Sequence, residues 1–64
     1  MMYYNYHAVA QKLIRSKELI AFKLTKRYNK VAPALVLYFK NHIPMPIKEH
    51  KWQEYFDLLN NVYS

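Results

Sequence analysis

Two residue types are missing from this chain altogether, glycine and cysteine. Without cysteine there is no disulfide staple, no thiolate nucleophile and no cysteine-ligated zinc, which fits a reducing compartment. Without glycine there is no phosphate-cradling loop of the Gly-rich kind, because such loops need close backbone approach. The same absence argues against tight turns, which favour glycine where φ is positive. Acidic residues are scarce: four stand against ten Lys and Arg, for a net charge of +6, and the pI is near 9.7. That balance favours a polyanionic partner, or it simply keeps an aromatic-rich small protein dispersed. Long apolar runs are lacking too. The longest, "ALVLYF", falls far short of the ~20 residues that span a bilayer. The start, "MMYYNYHAVAQ", has neither a basic n-region nor a continuous apolar h-region. The expectation is a cytoplasmic protein with no membrane partner.

What is present suits one small domain, residues 1–64. A chain of this length buries only roughly 60% of the surface its unfolded state exposes, so its core is marginal. Apolar residues make up 53%, and seven tyrosines supply much of that fraction. Tyrosine favours half-buried places, with the ring packed and the hydroxyl wet.

The segment 5–16 reads as a first helix, with Asn5 as N-cap. Tyr6, Val9, Ala10, Leu13 and Ile14 recur at helical spacing, with Lys12 and Arg15 on the other side. A second helix is expected from Pro46 to about Val62. Trp52, Tyr55, Phe56, Leu59 and Val62 form its apolar face, and Pro46 suits a first turn, where a missing N–H costs nothing. On this reading "HIPMPIKEHKW" (42–52) is a joint that turns the chain and aims Trp52 inward. Between the helices, 19–25 alternates in part, and 34–40 is strand-length and rich in β-formers. Joined by "KRYNKVAP", the two make a hairpin. Ile20, Phe22, Leu24, Leu35, Leu37 and Phe39 would face the core, and Lys23, Thr25, Arg27, Val36, Tyr38 and Lys40 would face outward. The fold expected is α+β, a small helix–β-hairpin–helix domain. The alternative is all-α, with three to four short helices and Ser16 capping the second.

Three chemistries can be weighed from residue types. His50 and Glu54 lie four apart and Asp57 shares their stripe, with His42 able to approach only if the proline turn folds back. Zinc sites use such ligands. This stripe, however, is opposite the apolar face, so a solvated i,i+4 pairing is expected, with no metal and no cofactor. Catalysis is disfavoured: Ser16, Thr25 and Ser64 have no neighbouring histidine in sequence, and so short a chain struggles to enclose a water-excluding pocket. The protein is expected not to be an enzyme.

Nucleic-acid binding fits better. "KLTKRYNK" carries Lys23, Lys26, Arg27 and Lys30, with Tyr28 among them, and Tyr38 and Lys40 belong to the same outward set. Lys and Arg would neutralise phosphates, while Tyr28 and Tyr38 would stack on bases. The expected function is a small basic binding protein that contacts nucleic acid or a nucleoprotein complex through these seven residues. The alternative is a regulatory or inhibitory module that docks on an acidic protein partner or self-associates as a homodimer. "MMYYNY", rich in the Tyr and Met favoured at interface cores, fits that second reading.

Overall fold

A computed structural model describes residues 6–64. Asn5 as a helix cap, and Met1, Met2, Tyr3 and Tyr4 of the aromatic start, lie outside the described residues. The elements run in the order α1 (Tyr6–Arg15), β1 (Leu19–Thr25), β2 (Ala34–Phe39), β3 (Met45–Lys48), a 3-10 turn (Glu49–Lys51) and α2 (Trp52–Tyr63). The three strands form one antiparallel sheet with β2 in the centre. The architecture is therefore α+β, with a helix at each end of a hairpin, and the hairpin gains a third strand.

Strand pairing sets the two faces. Leu35 pairs with Ile47 and Leu37 with Met45, and directly paired residues share a face. Those four side chains, with Phe39, pack against Ala10 and Ile14 of α1 and Tyr55 and Leu59 of α2. Both helices thus lie on one side of the sheet. The helical stripes behave as their spacing predicts: Tyr6, Val9, Leu13, Trp52, Phe56 and Val62 all pack on the margin of this core. The helices also meet each other, through Gln11 Nε2 donating to Glu54 Oε2 at 2.7 Å.

Two expectations need correction. Pro46 does not open a helix. Met45 and Ile47 alternate with Pro46 and Lys48 at the period of a strand, and the helix starts six residues later, at Trp52. Proline is tolerated here because β3 is an edge strand, and the Pro46 carbonyl accepts a hydrogen bond from the Tyr6 hydroxyl at 3.0 Å. Trp52 is half-buried and donates through Nε1 to the Ile47 carbonyl at 2.8 Å, which ties the helix start to the strand before it. The second correction concerns β1. Phe22 and Leu24 pair with Leu37 and Leu35, so they face the helix side as expected. Yet Ile20, Phe22 and Leu24 remain 65%, 52% and 55% exposed, because the helical layer does not extend over them. A bulge between Leu19 and Ala21 lets Leu19 drop onto the core in their place.

The lack of glycine is met by other residues at positive φ. Lys17 (φ 58°) ends α1. Its N–H donates to the Ile14 carbonyl at 2.9 Å and the Glu18 N–H donates to the Leu13 carbonyl at 3.1 Å, the bond pair of a Schellman cap. Asn29 (φ 54°) and Lys30 form a tight two-residue turn, closed by paired bonds of 2.8 and 3.0 Å between Tyr28 and Val31. A tight turn thus exists without glycine, because asparagine tolerates the left-handed region.

Candidate nucleic-acid interface

The sheet face away from the helices is built by the other half of each strand. Lys23 pairs with Val36, Thr25 with Ala34, and Ala21 with Tyr38; across the second ladder Val36 pairs with Pro46 and Ala34 with Lys48. Alternation puts all eight residues on one face. Ala34 and Val36 are buried there, Tyr38, Thr25 and Pro46 are half-buried, and Lys23 and Lys48 are exposed. No strand residue on this face is acidic. Lys23 and Tyr38 are diagonal neighbours, roughly 7–8 Å apart at the backbone. A cation and a ring at that separation can engage a phosphate and a base of one nucleotide strand.

The other sequence-predicted residues fall around this centre. Lys26 and Arg27 are exposed in the β1–β2 connection, where Thr25 Oγ1 donates to the Arg27 carbonyl at 3.3 Å. Tyr28 is half-buried in the turn and Lys30 is exposed beside it. Lys30 and Lys48 border a concavity of about 460 Å³ whose rim includes Glu49 and His50. Lys40 stands beyond the opposite end of β2, its N–H donating to the Glu18 carbonyl at 3.1 Å. The structure therefore joins Lys23 with Tyr38, gathers Lys26, Arg27, Tyr28 and Lys30 at one end, and leaves Lys40 at the other. Sequence reasoning missed Lys48. The alternation Met45-Pro46-Ile47-Lys48 carries the signal, but four residues that include a proline also fit a helix start.

The expected His50–Glu54 pairing does not form, and the carboxylates of this stripe take other partners. Glu54 accepts from Gln11 and lies 3.7 Å from Lys51 Nζ, and Gln53 donates to Asp57 at 2.9 Å. His42 bonds the neighbouring Ile43 carbonyl at 3.0 Å and packs edge-on against Phe39. Among the described residues no group of three or more His, Asp or Glu could hold a metal ion. No helix among them is long and apolar enough to cross a membrane.

His7 has a role that its isolated place in the sequence conceals. Its Nδ1 lies 2.7 Å from the hydroxyl of fully buried Tyr55, 48 residues away. Burial, with a smaller push from the Glu54 charge, raises the Tyr55 pKa to about 12. The phenol therefore stays protonated and donates, and the His7 ring accepts in its neutral form. Burial lowers the His7 pKa; the Lys51 charge adds to the lowering, Glu54 opposes it and His50 adds a further push down. The sign follows. Above about pH 6.5 the ring is neutral in both folded and unfolded chains, and stability is at its full value. As pH falls below that, the unfolded chain takes the proton first and stability declines, until the pH has passed the lower folded-state pKa. Urea midpoints followed from about pH 7.5 to pH 5 should fall in the natural chain, and less steeply in His7→Gln. Parallel curves for the two proteins would exclude His7 as the source.

Compared with protein-family models, curated proteins and solved structures, the chain matches none.

Proposed function

We propose that this protein is a small, cytoplasmic, non-enzymatic module that binds single-stranded nucleic acid across the outer face of its sheet. One observation carries the reading: Lys23, Tyr38 and Lys48 share a sheet face on which no strand residue is acidic. The basic end formed by Lys26, Arg27 and Lys30 extends that face. Sheets that display aromatic rings among cations suit unstacked bases, because rings accept any base while cations track the phosphates. Base-specific readout in a duplex groove would call for a presented helix. Here α1 and α2 are occupied on their apolar sides by the sheet, and the Glu54 and Asp57 carboxylates lie on the surface of α2.

The test is a salt titration with labelled single-stranded RNA, single-stranded DNA and duplex DNA. Three to five phosphate contacts should give a log–log slope of about −2 to −3.5 on single strands, with affinity greater for single strands than for duplex. A Kd weaker than about 1 mM at low salt, or an affinity indifferent to salt, would remove this reading.

A further inference from the structure

The two edges of the sheet are treated differently. β3 is four residues long, carries Pro46 and exposed Lys48, and its Pro46 carbonyl is already engaged by Tyr6. Those are the ways in which a free edge is blunted. β1 is seven residues long, contains no proline, and has a single charge, Lys23. Its one irregularity is the bulge near its start, where Ile20 has no partner on β2; Ile20, Phe22 and Leu24 are all more than half exposed. Beside them runs an open groove of about 500 Å³, bordered by Phe56, Leu59 and Tyr63 of α2. A long apolar edge of this kind is a template for another strand.

We propose that β1 pairs antiparallel with β1 of a second copy, about a two-fold axis through Phe22, to join two sheets into one of six strands. The residues select both the partner and the register. With the axis at Phe22, this ring meets its own copy, Ile20 faces Leu24, and Lys23 faces Ala21, so each of the three exposed apolar side chains gains an apolar neighbour. Just past the strand ends, Glu18 of one copy comes opposite Lys26 of the other, twice by symmetry. Lys17, in the left-handed region at φ 58°, and Arg27 both lie outside the strand. Moving the axis to Lys23 would set two ammonium groups face to face, which destabilises a strand pair. Moving it to Ala21 would place Leu24 against Glu18. The area is adequate. Three side chains at just over half exposure present roughly 350 Å² per copy, on a scale of ~200 Å² for a full-sized apolar residue. With the strand backbone and Tyr63, each copy offers at most roughly 600 Å², the lower end for a stable interface. The contact is isologous, the commonest kind in homodimers. It does not depend on nucleic-acid binding.

Sedimentation equilibrium of the purified chain should give twice the 7.8 kDa chain mass. Phe22→Glu places two carboxylates on the axis and should weaken association at least about 100-fold. Phe22 is exposed, so circular dichroism and Trp52 fluorescence should show this variant still folded. The absence of native cysteine permits a sharper readout. Under mild oxidation Phe22→Cys should cross-link at least about tenfold faster than Leu24→Cys, since only residue 22 meets its own copy within disulfide reach. A monomer at about 100 µM, a dimer untouched by Phe22→Glu, or equal cross-linking at the two positions would each overturn the proposal.

Discussion

Leu37→Ala is expected to remove most of the stability of this domain and to leave a large fraction of the chain unfolded at physiological temperature. Leu37 is fully buried in the central strand, packed with core residues from both helices and from β3. Truncating a buried leucine costs about 2–5 kcal/mol, through lost burial and the cavity left behind. Domains are stable by roughly 0.05–0.15 kcal/mol per residue, which for 64 residues is about 3–10 kcal/mol in all. Urea unfolding followed by the fluorescence of the single Trp52 would measure the loss. Leu24→Ala is the informative comparison. Leu24 faces the same side of the sheet one strand over, yet is 55% exposed. Measured at concentrations where the chain is monomeric, it should cost less than about 1 kcal/mol. Similar losses at the two positions would mean that the helical layer covers β1 after all.

The joint reversal Lys23→Glu with Lys48→Glu is expected to weaken single-strand binding at least about 30-fold in roughly 50 mM salt. It should also flatten the salt slope by about 1.4, the share of two phosphate contacts on a single strand. Net charge alone would give a similar loss wherever the charges were changed. Lys12→Glu with Arg15→Glu supplies the control, because it makes the same change in net charge on the exposed side of α1. That pair should cost less than about threefold in affinity. Equal losses from the two double variants would point to diffuse attraction and would remove the sheet face from the reading.

Parts of this structure are legible in the sequence because their periodicity extends over several turns. Tyr6 to Ile14 and Trp52 to Val62 each hold one stripe long enough to mark a helix and its buried side. The hairpin is legible from alternation, and with it the outward position of Lys23 and Tyr38. β3 is not, because four residues give only two alternations, and Pro46 satisfies the chemistry of a helix start as well as that of an edge strand. Lys48 was lost with it. Phe22 and Leu24 show a different limit. Alternation reports which face a side chain takes, but not how far the opposing layer reaches. The His7–Tyr55 bond lies beyond any local pattern, since it joins two helices that only the folded core brings together.

The blunted edge at Pro46 has a consequence for how large an assembly of this chain can grow. A strand edge acts like the reactive group of a monomer in polymer chemistry. A unit with two open edges can propagate without limit, as fibrils do. A unit with one is monofunctional, and its growth terminates at the first coupling. On the proposed pairing, Tyr6 and Pro46 would set the degree of polymerisation as well as the packing of β3, and the apolar side chains on β1 could stay exposed in a free chain without seeding a filament.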